Sequence, residues 1–85
     1  MITALHARRL DAVTAVLDGC GARTVLDLGC GDGALLLRLA ADARIERIVG
    51  VEPQAARLAD VRALLAELAP AERQKVTLVE AALTD

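Results

Sequence analysis

Asp27, three alternating glycines and Glu52 could do chemistry together. Asp27 stands two residues before Gly29, which is followed by Gly31 and Gly33, and Glu52 comes 19 residues after Gly33. A carboxylate inside the apolar run Val25-Leu26-Asp27-Leu28 is costly to bury unless it meets a cation or good donors. Glycines at alternate positions let the backbone approach a ligand closely and aim the following helix at it. A second carboxylate at the end of an apolar strand can accept both hydroxyls of a ribose. The pattern asks for a ligand with a cationic end and a ribose. Outside it, no side chains pair as acid, base or nucleophile, so no catalytic residue is assigned. His6 is the sole histidine and reads as an exposed residue of a first helix. Asp32 reads as a loop cap. Cys20 and Cys30 are ten apart and match neither a CxxC nor a zinc spacing. They read as small half-buried side chains in a reducing compartment.

The elements around these residues follow from periodicity. Thr3 to Asp18 forms an amphipathic helix with Leu10, Val13, Val16 and Leu17 on one face, and Gly19 is its C′ residue. Thr24 to Leu28 reads as strand one. The apolar pattern from Ala34 predicts a second helix ending near Asp42. Arg47 to Val51 reads as strand two, finishing at Glu52, and Pro53 fixes φ for the first turn of a third helix. Leu58, Val61, Leu65 and Leu68 carry that helix to about Ala69, where Pro70 stops it. Lys75 to Glu80 is strand three.

The order is α-β-α-β-α-β. Two right-handed crossovers stepping the same way give a parallel sheet ordered 3-2-1 with both crossover helices on one face. Residues 1–22 are a leading helix and linker, and residues 23–85 a βαβαβ unit. The other face and the free edge of strand one are left uncovered, so the isolated chain is expected to self-associate.

Composition bounds the class. The chain has 85 residues, 55% of them hydrophobic, and a mean hydropathy of +0.44, which excludes disorder. It contains no Phe, Tyr or Trp. That is unusual for a whole α/β enzyme and favours part of a larger domain. The net charge is −2, with both signs interspersed and no basic patch to grip nucleic acid alone. No apolar run reaches the ~20 residues that span a bilayer, and Met1 to Arg9 lacks the apolar core of a signal peptide. A cytoplasmic protein without a membrane partner is the expectation.

Two ligand classes fit the crevice. A dinucleotide would set its pyrophosphate on the turn, and Gly29-x-Gly31-x-x-Ala34 satisfies the loose dinucleotide pattern. S-adenosylmethionine would set its amino-acid end there and its ribose on Glu52. Asp27 favours the second, because a carboxylate beneath the turn repels a pyrophosphate and attracts an ammonium or sulfonium.

Val25 to Gly33 resembles motif I of the class I S-adenosylmethionine-dependent methyltransferases, and Val49-Gly50-Val51-Glu52 resembles their acidic second motif. The stretches Leu5–Val13, Leu26–Gly33, Ile48–Glu52 and Val76–Thr84 are similar to the small-RNA 3′-terminal 2′-O-methyltransferases. That resemblance implies the cofactor-binding half of a Rossmann-like, three-layer α/β fold. It also implies methylation of the terminal ribose at an RNA 3′ end, beside a polynucleotide kinase–phosphatase repair partner. By the same resemblance Asp27 serves the methionine amino group, Gly29, Cys30, Gly31 and Gly33 cradle the amino-acid end, Glu52 holds the ribose, and Ala82 and Leu83 edge the adenine, with Pro53 also among the cofactor-binding residues. Ala81-Ala82 replaces the family's usual Gly-Ser, which removes a hydroxyl contact. The family's divalent metal, Mg or Mn, is held by a Glu-x-x-Glu-His-type motif and further histidines that the 85 residues do not contain. The 85 residues alone are therefore expected to transfer no methyl group. The rival readings are a methyltransferase for a small molecule, protein or base, an NAD-binding module, and a non-catalytic partner-binding fragment.

Overall fold

The structure, a computed structural model, describes residues 3–82. In chain order it contains α1 (Ala4–Gly19), β1 (Thr24–Leu28), α2 (Ala34–Ala41), β2 (Arg47–Glu52), α3 (Ala55–Leu65), α4 (Pro70–Arg73) and β3 (Val76–Glu80). The strands form one parallel sheet in the order β1-β2-β3, the 3-2-1 arrangement that the crossover rule predicts. Asp27 pairs with Gly50 and Leu28 with Val51, so β1 ends at the glycine turn one residue before the register partner of Glu52, the last residue of β2.

The core lies on the face covered by α2 and α3. Leu36, Ile48 and Leu58 are fully buried there, joined by Leu39 and Val61. Gly50 makes the close packing possible: a Cβ on it would lie 3.0 Å from Leu36 Cδ1 and 3.2 Å from Leu78 Cδ2. The opposite face is apolar and open, with Leu26 60% and Leu28 58% exposed. Among the described residues β1 pairs only with β2.

Three boundaries differ from the expectation. First, α1 runs through Gly19, and the left-handed C′ residue is Gly21, at φ +70°. The Gly21 N–H donates to Asp18 O and the Ala22 N–H to Leu17 O, a Schellman ending. Second, α3 stops at Leu65 rather than near Ala69. The Glu67 and Leu68 N–H groups fold back onto Leu64 O and Leu65 O, and Ala69 is extended at ψ 145°. A residue preceding proline avoids the helical region, which accounts for the extended Ala69, and Pro70 itself starts α4. Leu68 still packs on the core, from a turn rather than from a helix. Third, Pro53 lies in the bend before the N-cap residue Gln54, outside α3.

The apolar stripe of α1 is also rotated from the expected one. Leu10 is buried and Leu17 half-buried, but Val13 and Val16 are 41% and 69% exposed. The inward face instead runs through His6, Leu10, Thr14 and Leu17. Thr14 fits there because its hydroxyl donates back to Leu10 O at 3.0 Å, satisfying itself within the helix.

Candidate functional site

The turn between β1 and α2 is built by three glycines with positive φ, Gly29 (72°), Gly31 (57°) and Gly33 (79°). L-residues with side chains rarely adopt this conformation. Gly33 has a second duty as the N-cap residue of α2. A Cβ on it would lie 3.2 Å from both methyls of Val61, so it also lets α2 and α3 approach.

The donors of this turn are largely spent within the protein. The Gly29 and Cys30 N–H groups both donate to Val51 O, at 2.7 and 3.2 Å, and the Gly33 N–H donates to Cys30 O. The Gly31 N–H donates to Glu52 Oε1 at 3.2 Å, and the Ala34 N–H to Asp32 Oδ1 at 3.0 Å. A pyrophosphate held by a glycine turn needs such N–H groups free. What remains here is acceptor capacity, the Asp27 carboxylate above all. Sequence reasoning expected the turn to offer its amides; hydrogen-bond accounting shows that it offers acidic oxygens.

Asp27 is half-buried, and its carboxylate has no hydrogen-bond or ion-pair partner among the described residues. Burial pushes its carboxyl above the ordinary carboxylate value. It lines an open cleft of about 760 Å³ with His6, Gly29, Gly31, Arg57 and Asp60. A carboxylate held against its own desolvation cost beside a concave surface is where a cation gains most.

Glu52 sits differently. It is 3% exposed, with Oε1 accepting from Gly31 N–H and Oε2 from Gln54 N–H at 3.0 Å. Its backbone carbonyl accepts from Ala81 N–H at 3.3 Å. The residue therefore ties the turn, the start of α3 and the end of β3 together, and it does not line the Asp27 cleft. Each carboxylate oxygen keeps a second lone pair.

Cys30 is 6% exposed and belongs to the core cluster. Burial, then the charges of Asp27 and Glu52, push its thiol up, which suppresses the thiolate. Pro53 and Ala82 are exposed and do not line the cleft. Leu83 lies outside the described residues. The structure thus brings Asp27, Gly29, Cys30 and Gly31 into one cleft, with Glu52 behind the turn and Gly33 in the helix packing. Sequence reasoning missed His6, Arg57 and Asp60 as lining residues. His6 had a readable signal, since it stands four residues before Leu10 on one helix face. Among the described residues no group of three or more His, Cys, Asp or Glu could hold a metal ion.

Residues 25–85 match the model of a methyltransferase domain family. The chain belongs to that family. Two solved structures share its fold and 36% of its sequence. The methyltransferase domain of bacterial CtHen1 in its CN form superposes with a TM-score of 0.85, over 93% of this chain and 42% of that one. The C form gives 0.81, over 88% and 40%. These structures match the likeness to the small-RNA 2′-O-methyltransferases drawn from the sequence. A curated relative, the peramine synthetase ppzA of Metarhizium rileyi, is 33% identical over 70 residues, which are 82% of this chain and 2% of that protein. The chain therefore spans about two-fifths of the solved domains and a small part of the curated relative. A methyltransferase domain implies S-adenosylmethionine as methyl donor in general. The unpaired Asp27 and the spent donors of the turn suit that cationic ligand better than a pyrophosphate. No described helix is long and apolar enough to cross a membrane.

Proposed function

We propose that this chain is the S-adenosylmethionine-binding portion of a methyltransferase that acts on the 3′-terminal ribose of RNA. One observation carries the cofactor reading: Asp27, half-buried and with no side-chain partner among the described residues, stands in an acceptor-rich cleft beside the glycine turn. Asp27 receives the methionine ammonium and faces the positive sulfonium. Gly29, Cys30 and Gly31 let the amino-acid end approach. Glu52, already oriented by two backbone N–H groups, accepts the ribose hydroxyls through its remaining lone pairs. Ala82 and Leu83 edge the adenine.

The likeness to CtHen1 supports the acceptor. The donor supplies an activated methyl group, and this portion contributes positioning. A divalent metal, an RNA 3′ end and a polynucleotide kinase–phosphatase partner belong to the same reading, as does a cytoplasmic location. The 85 residues alone transfer no methyl group. Alone, they self-associate through the open face carrying Leu26 and Leu28, which sedimentation at micromolar concentration tests.

Calorimetry on the full chain tests the cofactor. S-adenosylhomocysteine should bind and NAD should not; tighter binding of NAD overturns the reading. Labelled methyl transfer to RNA by the complete methyltransferase that contains this portion tests the acceptor. Product RNA should resist periodate, because a 2′-O-methyl group removes the terminal vicinal diol. Label on a base or a protein would move the chain to another methyltransferase class.

A further inference from the structure

We propose that His6 is a positioning residue of the site: from α1 it holds Asp32, and through Asp32 it fixes the glycine turn in the form that receives the amino-acid end of the ligand. This inference rests on the S-adenosylmethionine reading above. His6 Nε2 is shielded from solvent and has no hydrogen-bond partner among the described residues. It lies 3.6 Å from Asp32 Oδ2. The other oxygen of the same carboxylate, Oδ1, accepts from Ala34 N–H at 3.0 Å, at the first residue of α2. One carboxylate thus stands between the N-terminus of α2 and the first turn of α1.

That first turn is itself tied down. Thr3 Oγ1 accepts from His6 N–H at 3.1 Å, and Thr3 O accepts from Ala7 N–H at 2.9 Å. One turn further, Leu10 is 5% exposed, so α1 is anchored on both sides of the imidazole. A buried polar nitrogen without a partner calls for an explanation. A movement of a few tenths of an ångström brings Nε2 within hydrogen-bonding distance of Asp32. Asp32 remains largely exposed, and a pair of this kind adds little to overall stability. Its consequence is local, in where the turn sits. The other charged groups of the cleft are Asp27 on β1 and Arg57 and Asp60 on α3. Asp32 is the acidic group that shares the turn with the ligand.

The test measures two ligands on the full chain: S-adenosylhomocysteine, and 5′-methylthioadenosine, the same nucleoside thioether without the amino-acid end. His6→Ala should weaken the first about tenfold and the second less than about twofold, the size of one hydrogen bond to a charged group. His6→Gln, which keeps a donor at similar reach, should restore most of the loss. In an Asp32→Asn background the His6→Ala effect should largely vanish, as coupling through one contact requires. Unchanged S-adenosylhomocysteine affinity overturns the proposal, and so does an equal loss of both ligands, which would mark a merely structural role. If the wild-type chain binds neither ligand, the cofactor reading fails, and amide exchange without ligand decides about His6. Faster exchange at Gly33 and Ala34 in His6→Ala supports the positioning role; unchanged exchange overturns it.

Discussion

The two ends of the sheet treat their charges in opposite ways. At the amino ends of the strands Asp18, Asp42 and Glu46 each have a cationic partner. Arg44 pairs with both Asp18 and Asp42, and Arg23 with Glu46 at 3.3 Å. Lys75 Nζ donates to Ala40 O and Asp42 O, each at 3.1 Å, closing the end of α2. At the carboxyl ends the Asp27 carboxylate lines a cleft with no side-chain partner among the described residues. The two aspartates register the contrast. Hydrogen bonds from Arg44 hold the Asp42 carboxyl below its ordinary value, whereas burial pushes Asp27 above it. Satisfied charges hold the chain together. A charge left unsatisfied against its desolvation cost is kept for something that arrives from outside.

Removing Asp27 breaks that comparison most directly. Asp27→Ala takes away a charge-assisted contact worth about 1.5–3 kcal/mol, so S-adenosylhomocysteine should bind roughly tenfold to a hundredfold more weakly. The same substitution removes a carboxylate that folding desolvates without compensation, so the melting temperature of the ligand-free protein should hold or rise. Calorimetry and a thermal melt on one preparation give both numbers. Retained affinity, or a protein that unfolds together with losing its ligand, would show that Asp27 serves the fold.

Gly50 is the control for that experiment. It lies midway along β2, beneath Leu36 and Leu78. Gly50→Ala introduces a Cβ tighter than ordinary packing accepts and should cost about 1–2 kcal/mol of stability. Chemical denaturation should show the loss while the preference for S-adenosylhomocysteine over NAD persists. A change in that preference would mean that the site depends on general packing and not on its own charges.

The sheet, its order and the glycine turn were legible because each rests on local rules that agree: apolar runs, alternating glycines and the handedness of crossovers. The end of α3 was not. Leu58, Val61, Leu65 and Leu68 keep helical spacing, but after Leu65 the chain tightens into turns onto Leu64 O and Leu65 O and then extends at Ala69, before the proline. The face of α1 was misread for a different reason. Val13 and Val16 look like core by type, yet α1 turns His6 and Thr14 inward; the Thr14 hydroxyl is satisfied by Leu10 O, and His6 Nε2 stands 3.6 Å from Asp32. In the site, type and position of Asp27 were readable from sequence. That the turn spends its own amides was not, since it depends on Val51 O and Glu52, which only the folded sheet brings alongside.

Acidification should separate the two ends. Asp27 has a raised folded value, so it takes up a proton first as the pH falls. Cation binding is then lost while the fold gains at that position. Asp42 has a lowered value, so its contribution to stability is present above the unfolded carboxylate value and is lost only as the pH drops through the depressed one. Ligand affinity should therefore decline at a higher pH than the melting temperature does. Parallel calorimetry and melting across the acid range would show the order, and coincident losses would remove the distinction between the two aspartates.

The smallest effect is expected at the amino end. Arg44 is highly exposed and Asp18 is exposed, while Asp42 is half-buried, and solvent screens pairs made by so open a cation. Arg44→Ala should lower the melting temperature slightly at low salt and hardly at all at high salt. It should also leave Asp42 titrating closer to its ordinary value, because the hydrogen bonds that depress it come from Arg44. S-adenosylhomocysteine affinity should not move, since Arg44 lines a separate cavity of about 410 Å³ with Asp18, Arg23 and Glu46. A salt titration of the melt, with ligand binding measured alongside, is enough to check this. If ligand affinity falls with Arg44→Ala, the ends are coupled through α2, whose two ends they flank, and the division of labour between them does not hold.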